Sequence, residues 1–183
     1  MLQKYHLRKK YFNLRKKKYF EIKKEFFIPL LNLIKKNFKK KINLALYYPS
    51  SFEINILKIL DYNFIKKQNI LIPKIKDKNS MNFYPWKKNE VLFVNKFGIL
   101  EPIKSFAKIP DLIVVPIIAY DENNFRLGYG KGFYDRYLNK YLKKFKNILT
   151  VGVAFSFQKY HKLPKDRNDV KLDYILTEKG FYK

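Results

Sequence analysis

Residues 121–138 read Asp-Glu-Asn-Asn-Phe-Arg-Leu-Gly-Tyr-Gly-Lys-Gly-Phe-Tyr-Asp-Arg-Tyr-Leu. Glycines alternate at 128, 130 and 132, Arg126 precedes them and Lys131 stands among them, and a helical pattern begins where they end. Glycine lets backbone N–H groups approach a ligand closely, and a helix N-terminus adds positive partial charge. With two cations in the same loop, the stretch can cradle a polyphosphate. Asp135, just inside the helix, is placed to hold a magnesium ion beside those phosphates. The loop is not a P-loop: Phe133 follows Gly132, and no hydroxyl follows Lys131. Nor is it the dinucleotide fingerprint, because G-x-G-x-G replaces G-x-G-x-x-G. Spacing alone therefore leaves two readings, a phosphate site or a tight strand-to-helix turn with solvated cations.

The pattern Asp-x4-Arg-Leu-Gly-x-Gly-Lys-Gly-x-Tyr-Asp-Arg-x-Leu closely resembles the signature of the 5-formyltetrahydrofolate cyclo-ligase (methenyltetrahydrofolate synthetase) family. The likeness extends along the chain. It includes Lys4-x-x-Leu7-Arg8, Gly98-Ile-Leu-Glu101-Pro102 and Asp111-Leu-Ile-Val-Val-Pro116. Towards the C-terminus it includes Val151-Gly-Val-Ala-Phe155, Gln158, Leu163-Pro164 and Asp169. Departures are Asn124 for a usual glycine, Asn55 and Ile56 for aspartate and threonine, and Asn168 for a frequent histidine. Asparagine tolerates the left-handed conformation that a glycine would take at 124.

The resemblance implies ATP-dependent closure of 5-formyltetrahydrofolate to 5,10-methenyltetrahydrofolate through a phosphorylated formyl oxygen. It implies Arg126 and Lys131 as the catalytic cations. Nucleotide binding falls to Lys4, Arg8, Arg126, Leu127, Gly128, Tyr129, Gly130, Lys131, Gly132 and Tyr134; the Tyr129 side chain, at a position that varies, is assigned no chemistry. Glu53 would accept paired N–H groups of the pterin, and Phe97 and Tyr134 would contact the folate. Asp135 and Asp169 would hold Mg2+. Lys4 and Arg8, one turn apart, share a helical face. Plain alternatives stand beside these roles: Glu53 as an acid opening a helix, Asp135 as a helix-dipole charge, and Tyr134 as a core residue in step with Leu138 and Tyr141.

The elements that must position these groups follow from hydrophobic periodicity. Residues 2–38 are helical by pattern, with Pro29 expected to kink or split them. Strands are predicted at 41–48, 69–73, 111–115 and 149–155, with a fifth at 173–176. Short strands at 82–84 and 91–94 interrupt an irregular stretch over 74–110. Helices are predicted over 53–66 and from Phe133 to Phe145. Alternating strands and helices predict an α/β, three-layer αβα fold with a mostly parallel sheet and an N-terminal helical segment, a single cyclo-ligase-like domain over 1–183. Ligands in such sheets sit beyond the carboxyl ends of strands, where the 121–132 loop falls.

Composition narrows the function classes. No cysteine is present, which excludes disulfides and thiol catalysis. His6 and His161 lie in lysine-rich stretches, and no Ser-His-Asp set is visible. No apolar run reaches membrane-spanning length and the basic N-terminus lacks a signal-peptide core, so a cytoplasmic, monomeric protein away from membranes is expected. The net charge of +25 invites a second reading, a lysine-rich polyanion or nucleic-acid binder without catalysis. Yet 35 of the 40 cations are lysine and 5 are arginine, the residue suited to bidentate phosphate and base recognition. The excess therefore reads as compositional drift over a solvated surface, and nucleic acid is disfavoured as a partner.

Overall fold

The computed structural model describes residues 2–103 and 106–183. Strand β6 (Leu112–Pro116) shows how the sequence builds it. Leu112 and Val114 face one core cluster while Ile113 and Val115 face the other, the period of two that a strand with both faces covered requires. Around it run β1 (Asn43–Ala45), β2 (Asn69–Ile75), β3 (Met81–Pro85), β9 (Leu149–Val153), β10 (Tyr174–Thr177) and β11 (Gly180–Tyr182). The order is β11-β10-β9-β6-β1-β2-β3. The five inner strands pair in parallel, and antiparallel β3 and β11 close the edges. Two small hairpins stand apart: β4 (Leu92–Val94) with β5 (Leu100–Pro102), and β7 (Ala119–Tyr120) with β8 (Arg126–Leu127).

One face is covered by α2 (Ile28–Asn37), with 3-10 turns at Lys24–Phe27 and Ile56–Asp61; the other is covered by α4 (Phe133–Lys144). Tyr137 and Leu138 of α4 are buried against the sheet, with Phe133, Tyr134, Tyr141 and Leu142 packed around them, as the periodicity predicts. Helix α1 (Leu2–Lys18) lies against the β7–β8 hairpin, where Leu7 and Tyr11 meet Ile118, Ala119, Leu127 and Leu163. The expected layers and parallel core are present.

Three local expectations change. Residues 2–38 are split rather than kinked, and the split falls ahead of Pro29: α1 ends at Lys18, an irregular stretch over 19–23 and the 3-10 turn follow, and Pro29 sits in the first turn of α2, where its missing N–H is no loss. The predicted helix over 53–66 is instead a 3-10 turn followed by one helical turn, α3 (Asn63–Lys66). Ile54, Ile56, Ile59, Leu60 and Ile65 all point into the core, a spacing tighter than one α-helical face allows. The stretch 74–110 is better ordered than expected, with β2 reaching Ile75 and β5 added, while its residues 104–105 lie outside the described residues.

Candidate active site

Strand order reverses at β1. The chain passes from β1 to β2 on one side and returns to β6 on the other. Such a switch point opens a crevice at the carboxyl ends of the strands. The segment after β1 carries Glu53, and the segment after β6 carries Arg126 to Asp135. Sequence-distant residues therefore meet at one edge of the sheet.

The turn before Glu53 is strained. Ser51 and Phe52 have φ of 48° and 63°, consecutive left-handed conformations that non-glycine residues rarely adopt. The turn is closed by the Glu53 N–H on the Ser50 carbonyl (2.9 Å) and by the Ser50 N–H on Glu53 Oε2 (2.8 Å). Glu53 thus opens no helix, and the helix-start reading of this acid falls away. Its carboxylate is buried, and that burial raises its pKa above the ordinary carboxylate value. The Tyr129 hydroxyl donates to Glu53 Oε1 at 2.7 Å and accepts from Arg15 Nη2 at 2.5 Å. Arg15, only 1% exposed, also donates to the Ile117 carbonyl.

The glycine loop divides its labour. Gly130 and Gly132 have φ of 93° and 68°, so they permit the turn. A Cβ at 130 would stand 3.1 Å from Arg8 Cζ, and one at 132 only 2.7 Å from Arg136 Nη1. Gly128 has open space where its Cβ would be, and its carbonyl accepts from Arg8 Nε at 2.8 Å. Asn124 takes φ of 60°, the left-handed conformation expected of it, and Asp121 Oδ1 accepts from the backbone of Asn123 and Phe125 to shape the hairpin loop.

Arg126 is buried beside Asp135, with Nη1 3.0 Å from Oδ1. That nitrogen nonetheless lacks an aligned hydrogen-bond partner, as do the donor Arg15 Nε, the acceptor Asn55 Oδ1 and the Tyr134 hydroxyl. Buried polar atoms left unpaired are costly, and two of these four belong to Arg126 and Tyr134, on either side of the glycine turn. Arg126 lies 6.0 Å from the Tyr134 ring centroid. The Tyr134 ring packs on Phe83, as its core reading predicts, and its hydroxyl is enclosed without a partner. Lys131 is exposed at the rim, its Nζ 5.5 Å from the Phe97 ring, which in turn faces Phe133.

Lys4 donates to Asp166 Oδ2 at 2.8 Å and to Asp169 Oδ2 at 2.5 Å. Burial lowers the lysine pKa, but the bonds to Asp166 and Asp169 outweigh it and the net direction is up; the same contact holds Asp166 below its ordinary value. Asn139, one turn beyond Asp135 on α4, donates to the Asn168 carbonyl at 2.7 Å. The departure at 168 thus contributes a main-chain group, and the bond ties the Asp169 turn to the helix bearing Asp135. Among the described residues no group of three or more His, Cys, Asp or Glu could hold a metal alone. Asp135 and Asp169 are each engaged by a cation, Arg126 and Lys4 respectively.

Two residues escaped sequence reasoning, Arg15 and the side chain of Tyr129. A signal existed. In a chain where lysine outnumbers arginine sevenfold, four of the five arginines contact or belong to the glycine loop: Arg8, Arg15, Arg126 and Arg136, the last donating to the Lys131 carbonyl. Other residues of the matching motifs are structural. Glu101 accepts from the Ile75 N–H and Asn95, and Gln158 ties the Ile117 and Ile118 carbonyls to Phe155.

Comparison with known proteins identifies the family. A model of the 5-formyltetrahydrofolate cyclo-ligase family matches residues 5–178. A probable 5-formyltetrahydrofolate cyclo-ligase of Schizosaccharomyces pombe is 37% identical over 140 residues, covering 68% of this chain and 69% of that protein. The 5-formyltetrahydrofolate cyclo-ligase of Haemophilus influenzae is 30% identical over 162 residues, 80% of each. The NMR structure of Aquifex aeolicus 5,10-methenyltetrahydrofolate synthetase superposes with a TM-score of 0.73 at 33% identity, covering 100% of this chain and 93% of that one. With the family model spanning nearly its whole length, this chain belongs to the 5-formyltetrahydrofolate cyclo-ligase family.

Proposed function

We propose that the protein closes 5-formyltetrahydrofolate to 5,10-methenyltetrahydrofolate while converting ATP to ADP and phosphate. The observation that carries this reading is the meeting, at one switch point, of a cation-bearing glycine loop on a helix N-terminus with a buried carboxylate that follows the same end of the neighbouring parallel strand.

The chemical obstacle is the leaving group, since a formamide oxygen departs poorly when N10 attacks. The formyl oxygen attacks the γ-phosphorus and displaces ADP, giving an iminophosphate. N10 then adds to the activated carbon and gives up its proton to solvent, and phosphate leaves with the former formyl oxygen. Such transfer needs positioning and charge neutralisation more than a protein nucleophile. Lys4, Arg8 and the backbone around Gly128 line the phosphate approach. Arg126 and Lys131 face the transferring group, where developing charge is greatest. Glu53 accepts the pterin N–H groups. Carboxylates offer about four acceptor positions, and those on Glu53 already receive the Ser50 N–H, the Ser50 hydroxyl at 3.4 Å and the Tyr129 hydroxyl. Phe97, 40% exposed beside Lys131, offers a face for the folate ring.

Asp135 and Asp169 would hold Mg2+, which when bound neutralises phosphate charge. Both carboxylates are paired with cations assigned to the nucleotide, so ion and ATP are expected to bind together. No helix among the described residues is long and apolar enough to cross a membrane. We take 1–183 to act as one domain, as a monomer, in the cytoplasm. Its lysine-rich surface speeds capture of anionic ATP and polyglutamylated folate.

Mixing the protein with 5-formyltetrahydrofolate, ATP and magnesium and following the near-ultraviolet absorbance of the methenyl product tests the reaction. Product that requires all three supports it, and no product from folded protein sinks it. Lys131→Ala should lower kcat/KM by about a thousandfold with an unchanged circular dichroism spectrum; wild-type rates in that variant would remove Lys131 from catalysis.

A further inference from the structure

Arg15 is the largest fully buried side chain of the described chain, and burying a guanidinium is costly unless its donors are used. Its Nη1 holds the Ile117 carbonyl just after β6, and its Nη2 holds the Tyr129 hydroxyl, which passes the contact on to Glu53 Oε1. The guanidinium also lies 5.6 Å from the Tyr129 ring centroid. Tyr129 itself is 43% exposed, yet its hydroxyl is turned inward between the two charges. A solvated loop tyrosine has no need of that geometry. Because the phenol both donates and accepts, the line from Arg15 to Tyr129 to Glu53 has one polarity, and it fixes which carboxylate oxygen is occupied. The other oxygen is held by Ser50 in the strained 50–53 turn. The free acceptor directions of Glu53 are therefore set by three elements: α1, the glycine loop and the turn after β1.

We propose that Arg15 and the Tyr129 hydroxyl are positioning residues that orient the Glu53 carboxylate for the N–H-bearing heterocycle of the substrate. This rests on the reaction proposed above. It adds a consequence: Tyr129 stands between Gly128 and Gly130, so the loop that takes the nucleotide and the carboxylate that takes the heterocycle share one hydrogen bond.

The groups facing Glu53 are Arg15 from α1, Tyr47 beyond β1, Tyr129 from the glycine loop and Tyr134 from α4. Burial holds all three phenols above their ordinary pKa, so they stay protonated. Glu53 is raised by its own burial and pulled back by Tyr129, Arg15 and Ser50. Removing the phenol's donation lets it rise further, so binding that needs the carboxylate is lost at a higher pH as the solution is acidified.

Tyr129→Phe keeps the ring on Arg15 and removes only the hydroxyl. The test measures KM for 5-formyltetrahydrofolate and for ATP across pH. In ligand-free protein it also follows the carboxyl resonances of 13C-labelled glutamate, Glu53 being the one of seven absent from Glu53→Gln. We expect KM for the folate to rise about tenfold, KM for ATP to stay within about twofold, and the Glu53 midpoint to move up by about one pH unit. Arg15→Met should move the midpoint the same way, and Arg15→Lys should restore part of it. An unmoved midpoint in both Tyr129→Phe and Arg15→Met, or equal rises in the two KM values, would overturn the positioning role. The failures separate: absent wild-type turnover overturns the reaction and with it the ligand named here, whereas an unmoved midpoint overturns the positioning role whatever the turnover.

Discussion

Helix α2 turns Leu30, Leu31, Leu33 and Ile34 into the core, whereas α1, 17 residues against 10, turns Lys4, Arg8, Tyr11 and Arg15 inward. The first arrangement is held by apolar area removed from water, at roughly 25 cal/mol per Å². The second is held by about one polar contact per turn: Lys4 to Asp166 and Asp169, Arg8 to the Gly128 carbonyl, Tyr11 to the Lys159 carbonyl, and Arg15 to Ile117 and Tyr129. Leu7 and Leu14 add a modest apolar seam. Both are helices on one small fold, but one is an outer layer of the core and the other is fastened to the crevice. The contacts that dock α1 are the contacts that shape the site, so damage to α1 should register as lost function before lost stability.

That contrast can be broken at several points. The largest effect is expected from Ile34→Ala, which deletes a side chain only 1% exposed. It should cost about 2–5 kcal/mol of unfolding free energy in urea titrations and leave KM for ATP unchanged; a weakened KM would show that α2 also communicates with the crevice. Lys4→Met should do the reverse, raising KM for ATP about tenfold with little change in the urea midpoint. A large midpoint shift there would make α1 a core helix after all. The smallest effect concerns acid. Asp166 is held below its ordinary value by its bond to Lys4, so this contribution is fully present above the unfolded aspartate range and is lost as pH falls through the depressed folded value. Protection factors in α1 should therefore fall in acid before those in α2, and simultaneous loss of protection would erase the distinction.

How much was legible in the sequence follows the same division. The apolar strand of β6, the amphipathic face of α4 and the glycine loop are written in local patterns, because each depends on its own period or its own backbone freedom. The 53–66 segment reads as one helix because its apolar residues are dense enough to satisfy several periodicities, and only the sheet beneath selects the tighter turn. Asp169 could be named but not its neighbour: its bond to Lys4 spans 165 positions, and no spacing rule reaches that far. The Tyr129 hydroxyl was hidden for a related reason. Its role is set by where α1 and the turn after β1 happen to end, neither of which the loop's own residues encode. Arginine scarcity was the one sequence-wide clue, visible only by asking which cations a lysine-rich chain had not exchanged.

The consecutive left-handed residues Ser51 and Phe52 carry a further consequence. Their conformation costs the folded state of order 1–3 kcal/mol each, free energy that a more permissive backbone would return to stability. The same rigidity keeps the carboxylate beside them from wandering. Selection for thermal robustness and selection for turnover therefore pull this short turn in opposite directions, and it is where variants hardened against heat are expected to lose catalytic efficiency first.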